Sequence, residues 1–233
     1  MLAKDKLLSV IGGLLLVAFV SLISAAQEAM DIRGVALRMR SADLPPEFRQ
    51  LTIASAPSAI DVGYAATDCS SGALRQQTCL TLFFEEASNE KRVYAVLLER
   101  MRLGSFSDER SPEEVLARKY GRPKYRFAGS PWLGTQLAWN TSYDITRGRL
   151  PLDPRSIIVD PKFFELNHPG LASQKDILVA DVKGGVSGEF YADLALVDVP
   201  AAFRVRIASD ERRKRQRGDA ANEEQRRARP DRF

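Results

Sequence analysis

Ser111-Pro112-Glu113-Glu114-Val115-Leu116-Ala117-Arg118-Lys119-Tyr120-Gly121-Arg122-Pro123 reads as a helix with both ends specified. Ser111 can accept from the backbone N–H of Glu114 while the Glu114 carboxylate reaches back, a capping box. Pro112 is preset for the first helical position, Lys119 suits the negative end of the helix dipole, and Gly121 with Pro123 ends the helix. Outward from it, Lys124–Phe127 and Gln136–Asn140 read as strands around the turn 128–134. Before it, Leu80–Phe84 and Val93–Leu98 form a hairpin pattern, and Ile60, Val62 and Tyr64 repeat at period two. A further hairpin is expected over Asp176–Val182 and Glu189–Val197, around a glycine-rich turn.

Two blocks with one order emerge. The first is a helix over 45–52 with strands near 59–65, 79–84 and 92–100. The second is the helix over 112–120 with strands near 124–127, 136–140, 176–182 and 189–197. The order predicts an α+β fold: an antiparallel sheet with short helices on one face, made of two structural repeats of about 31–105 and 106–203 within a domain over 27–203. Residues 141–173, with Pro151, Pro154, Pro161 and Pro169, resist assignment beyond brief elements at Ser156–Val159 and Phe163–Leu166. A connection this long is itself a functional candidate.

The net charge of +4 over 233 residues belongs to the ends of the chain. Residues 1–26 carry +1 and residues 204–233 carry +5, which leaves the body slightly acidic. Leu7–Ala26 is an uncharged, mostly apolar run behind a short basic start, with Ser24 and Ala26 placed for signal peptidase before Gln27. A cleaved export signal, and hence a periplasmic body, is the expectation; a membrane anchor over residues 7–26 is the alternative. Export gives Cys69 and Cys79 one economical use, an intramolecular disulfide.

One histidine and two cysteines leave little for a zinc site or for nucleophilic catalysis, and no cofactor or metal site is expected. His168, in Asn167-His168-Pro169-Gly170, reads as a structural or surface turn residue. Asp144, Asp153 and Asp160 are the carboxylates that an acid–base enzyme would draw upon if the long loop gathered them. Tyr120, Tyr125 and Trp139 suit a core, and Trp132, in a Ser-Pro-Trp-Leu-Gly turn, is a candidate exposed anchor for a partner. Arg212, Arg213, Lys214, Arg215 and Arg217 are candidate contacts to an anionic membrane or cell-wall surface. Nucleic acid is not an expected partner of an exported chain. Ala201–Arg217 can be helical where it leaves the sheet, and the last fifteen residues are expected to be disordered.

The run Glu113–Pro123, followed after a loop by Leu137-Ala138-Trp139, resembles exported proteobacterial proteins of unassigned function with a KYG-x-P … L-x-W signature. The helix-then-strands unit is similar to the outer-membrane assembly lipoprotein BamE and to tandem β-lactamase-inhibitor-like modules. The resemblance covers roughly Asp31–Asp198, and Arg38-Met39-Arg40-Ser41 stands where such families carry a Gly-Met-Ser/Thr turn. It implies a non-catalytic envelope module that binds protein. The alternatives are a small hydrolase using the loop carboxylates and a proteinaceous inhibitor of a periplasmic enzyme.

Overall fold

Nearly unbroken apolar runs in the central strands demand cover on both faces of the sheet, and the architecture follows from that demand. The computed structural model describes residues 30–55, 64–70, 77–87, 90–128, 134–142, 144, 153–185 and 188–228. A two-residue ladder of β1 (Asp31–Ile32) and β2 (Val35–Ala36) precedes a 3-10 turn and the short helix α1 (Pro46–Arg49). The main sheet follows: β3 (Ala54–Ser55), β4 (Tyr64–Cys69), β5 (Cys79–Ala87), β6 (Glu90–Ser105), β7 (Tyr125–Ala128), β8 (Thr135–Trp139), β9 (Asp176–Gly184) and β10 (Glu189–Asp198). Helices α2 (Pro112–Tyr120), α3 (Pro154–Val159), α4 (Pro161–Asn167) and α5 (Val199–Ala228) complete the set.

The strand order is β3-β4-β5-β6-β10-β9-β8-β7, and every neighbouring pair is antiparallel. Two four-strand meanders therefore meet along β6 and β10. The fold is α+β, as the sequence predicts, but its helices lie on both faces, not one. On the first face, Leu82, Val96, Leu194 and Leu178 pack beneath Ile32, Val35 and Phe48 from the N-terminal segment and Leu116 of α2. On the second, Leu97, Val179 and Ala195 pack beneath Ile157 and Ile158 of α3, Phe164 of α4, and Ala202 and Val205 of α5.

A bulge in β6 distributes its residues between these faces. Phe83 opposes Ala95 while Phe84 opposes Val93, so Tyr94 is the extra residue. Tyr94 and Ala95 consequently both join the second face, and Val93 and Val96 the first.

The capping box on α2 is formed as written in the sequence: Ser111 Oγ accepts from Glu114 N–H at 3.3 Å and Glu114 Oε2 accepts from Ser111 N–H at 3.0 Å. The long connection holds more structure than its prolines suggest. Asp153 and Asp160 cap α3 and α4, and each is followed by a proline in the first helical turn. Gln174 then ties the connection together, its Oε1 accepting from Thr141 Oγ1 at 2.9 Å and Ser142 N–H at 2.8 Å.

Helix α5 also corrects an expectation. Instead of giving way to disorder over the last fifteen residues, the chain stays helical through Ala228. Low apolar content removes a core, but Ala, Glu, Gln and Arg are all strong helix formers. The pairs Arg206–Asp210 (3.3 Å) and Glu211–Arg215 (3.8 Å) stand one turn apart and add support.

Candidate functional site

The register of seven strands places one residue from each in a row across the second face. Cys69 opposes Cys79, and Cys79 opposes Glu99. Beyond a bulge, Asp193 opposes Asp181, which opposes Gln136, which opposes Phe127. Side chains of directly opposed residues share a face, so the row continues the apolar second face into polar ground. Helix α3 starts above it.

Three carboxylates from adjacent central strands would repel one another unaided. Lys183, two residues along β9 from Asp181, answers two of them: its Nζ lies 2.8 Å from Asp181 Oδ2 and 3.1 Å from Asp193 Oδ2. Arg155 of α3 reaches Glu99 Oε1 at 3.3 Å. Asp193 has a backbone task as well. Glu99 and Arg100 together stand opposite it, Arg100 adopts a positive φ of 58°, and the Arg100 N–H donates to Asp193 Oδ1 at 2.8 Å.

Burial pushes both the Glu99 and Asp181 carboxyls above the ordinary carboxylate range; Arg155 opposes the shift at Glu99, and Lys183 opposes it at Asp181. Burial draws Lys183 down, but Asp181 and Asp193 outweigh it and hold the ammonium above its ordinary value. The ammonium sits between the carboxylates and binds them as a cation would. Among the described residues, no group of three or more His, Cys, Asp or Glu side chains is arranged to hold a metal ion. At the sheet centre three carboxylates are thus met by two cations of the same chain, Lys183 and Arg155.

A second feature stands at the tip of the β9–β10 hairpin. Phe106, 60% exposed, lies edge-on to Phe190 with centroids 4.5 Å apart. Its ring covers Gly184, where an added Cβ would come within 3.3 Å of it, and the Phe106 N–H donates to Gly188 O at 2.8 Å. The hairpin glycines thus leave room for an aromatic ring that solvent still reaches, the kind of side chain that anchors protein contacts.

The third feature is the outer part of α5. Its packed positions, Ala201, Ala202, Val205 and Ser209, recur at helical spacing and end at Ser209. Beyond them Arg212, Lys214, Arg215 and Arg217 are exposed and Arg213 is half-buried. The inner part is firmly mounted. Asp198 Oδ1 accepts from Ala201 N–H at 3.1 Å, Arg38 bridges Asp176 at 2.6 Å and Asp198 at 2.8 Å, and Arg204 pairs with Glu85 at 2.8 Å.

The other residues singled out in the sequence are placed as follows. Cys69 and Cys79 form a disulfide that staples β4 to β5. Trp132 and residues 1–26 lie outside the described residues. Among the described residues no helix is long and apolar enough to cross a membrane.

Asp153 accepts from Arg155 N–H (3.3 Å), Ser156 N–H (3.2 Å) and the Ser156 hydroxyl, and Asp160 accepts from Phe163 N–H (3.4 Å). Both therefore act as helix caps, and Asp144 is half-buried in the connection. His168 is fully buried, its ring stacked on Phe164 at 5.6 Å. Trp139 is buried beside Tyr120 and donates its indole N–H to Gly121 O at 2.9 Å. Tyr125 donates its hydroxyl to Ser142 O at 3.2 Å.

Sequence reasoning missed the Glu99–Asp193–Asp181 row and the Phe106 anchor. A like-charged pair such as Asp181 and Asp193, opposed across the β9–β10 hairpin, is a signal for the row. Three glycines in that turn are a signal for a ring nearby. Comparison of the chain with family models, curated proteins and solved structures found no match.

Proposed function

We propose that the protein is a non-catalytic interaction module of the cell envelope, which engages a partner protein through the outer half of α5. The observation that carries this reading is the arm itself. A 30-residue helix is anchored through Ser209 and then presents Arg212, Lys214, Arg215 and Arg217 to solvent on a rigid mount. Anchoring lowers the entropy lost when a partner docks. The exposed Phe106 ring supplies a second contact of the hot-spot type.

Envelope placement rests on the basic start and apolar run of residues 1–26. The helix before each meander supports keeping the resemblance to BamE-like modules as part of this proposal. The acidic residues of the long loop offer less to a hydrolase reading, since Asp153 and Asp160 are engaged as caps.

Photocrosslinking in the cells that make the protein tests the reading. A photoreactive residue at position 212, 215 or 106 is expected to trap one defined protein, and the same residue at exposed Glu109 is expected to trap none. Equal labelling at all four positions, or none at any, overturns it. N-terminal sequencing of the protein from cells, expected to begin at Gln27, tests the export signal.

A further inference from the structure

The disulfide ends the polar row of the second face, and its two sulfurs differ in their surroundings. Cys69, on β4, is exposed, whereas Cys79, on β5, is half-buried. Directly opposite Cys79 on its other side is Glu99 of β6. Opposed side chains stand about 5 Å apart at Cβ, so the Glu99 carboxyl is within reach of the Cys79 sulfur. Arg155 holds that carboxyl through Oε1, at 3.3 Å. Beyond Cys69 the row stops. Strand β3, the outer neighbour of β4, pairs only with Tyr64 and Ala65, at the far end of the strand.

This asymmetry bears on how the bond reacts. A thiolate attacks one sulfur of a disulfide in line with the S–S bond and expels the other. The bond runs from strand to strand, so attack on Cys69 comes from the open edge of β4, where no described strand stands in the way. Attack on Cys79 would come from the β6 side, where an ionised Glu99 repels a thiolate.

From this geometry we propose that the Cys69–Cys79 bond is a thiol–disulfide exchange site, entered at Cys69, with Cys79 as the leaving sulfur and Glu99 as its proton donor. The co-reactant is a dithiol protein. One of its thiolates forms a bond to Cys69 Sγ. The Cys69–Cys79 bond breaks, and its electron pair leaves on Cys79 Sγ, which takes the proton of Glu99. The second thiolate of the dithiol then attacks the dithiol's own sulfur in the mixed disulfide and expels the Cys69 thiolate, which takes a proton from water. Two electrons have passed: the dithiol is oxidised to a disulfide, and Cys69 and Cys79 are reduced to thiols.

Burial favours the protonated form of Glu99 and so keeps a proton at hand. Among the charged groups that face it, Arg155 of α3 and Lys183 of β9 work against that proton, while Asp193 of β10 and Asp153 at the start of α3 work with it. The departing thiolate meets an acid when Glu99 is protonated and a like charge when it is ionised. Cys79 is therefore a better leaving sulfur as pH falls. The envelope-module proposal rests on α5 and Phe106, so the two stand or fall separately.

Sulfite is the probe, because it opens a disulfide by the same in-line attack and marks the attacked sulfur as an S-sulfonate. Folded protein is treated with sulfite, quenched in acid, alkylated and mapped by mass spectrometry. S-sulfonate is expected on Cys69 and the free thiol on Cys79, in an excess of about tenfold or more over the reverse. Glu99→Gln should lower that excess by about threefold or more. The ratio of the wild-type rate to the Glu99→Gln rate should lie below one near about pH 8 and rise above one towards about pH 5. Taking the ratio at each pH cancels the ionisation of sulfite itself.

Glu99→Asp, which keeps a carboxyl, should keep the pH dependence, and a cooperative thermal transition verifies that both variants fold. A folded protein that forms no S-sulfonate overturns the proposal. So does marking of both sulfurs alike or of Cys79 first, an excess unchanged in Glu99→Gln, or a rate ratio that stays flat across pH.

Discussion

Replacing both Cys69 and Cys79 by alanine removes the bond between two residues directly opposed in β4 and β5, ten positions apart in sequence. The native state has little to lose locally. Cys69 is exposed and Cys79 half-buried, so the cavity left by two sulfur atoms is small. The strand ends stay tied by Ser70 N–H to Thr78 O and by Thr78 N–H to Ser70 Oγ, both 3.0 Å. The loss therefore falls on the denatured state, which regains the freedom of an open loop. In the chain-entropy model a loop of this length is worth about 9 cal/mol/K, or about 2.7 kcal/mol at 25 °C. For a protein of this size that corresponds to a fall in Tm of about 5–11 °C. Urea denaturation of the oxidised wild type and the double variant measures it, with unchanged m-value as the sign that the native fold persists. A difference below about 0.5 kcal/mol refutes the denatured-state argument. A loss above about 5 kcal/mol with rapid hydrogen exchange over residues 64–69 refutes the claim that the ladder holds without the bond.

Ser111→Ala removes half of the capping box on α2 and should cost about 1 kcal/mol by urea denaturation, with Ser111→Asp recovering most of it. Ending the chain at Asp210 removes the arm but none of the buried positions of α5, so Tm should move by less than about 2 °C; a larger fall would show that the arm packs on the body. Glu99→Gln tests the charge row through pH. The folded state holds the Glu99 carboxyl above its ordinary value, so the native protein binds that proton more tightly than the unfolded chain, and stability from this group is lost as pH rises. The glutamine variant should be more stable than wild type at pH 7, by less than about 1 kcal/mol because Arg155 offsets part of the cost of burial, and the two should converge near pH 3.

Much of the fold was legible because particular residues speak locally. Helix α2 follows from Ser111, Pro112, Glu114 and Gly121, and it forms over the expected residues. The β5–β6 and β9–β10 pairings follow from period and turn. Other parts were not legible for physical reasons. Period-two reasoning fails in β6, where the bulge at Tyr94 turns two successive residues to one face. The helices of the long connection were hidden by their own start signals. Asp153-Pro154 and Asp160-Pro161 look like loop punctuation, yet Asp as cap and Pro in the first turn is how a helix begins. The arm of α5 was misread because a solvated helix and a disordered tail share a composition poor in apolar residues. The charge row depends on the register between β6, β10, β9 and β8, a long-range property that no local pattern carries.

The seam between the meanders has a consequence for how the chain comes into being. Strand β6 is complete at Ser105, but its partner β10 is not finished until Asp198. For the whole interval during synthesis, the first meander holds a sixteen-residue strand whose open side is a row of unpaired amides and carbonyls flanked by the apolar run Val93–Leu98. Such an open strand recruits other chains, and the pairing that closes it joins residues as distant in sequence as Ala95 and Val197 and so forms slowly. The newborn protein is thus most prone to aggregation between those two points, and a helper that shields β6 would serve it better than one acting at either end.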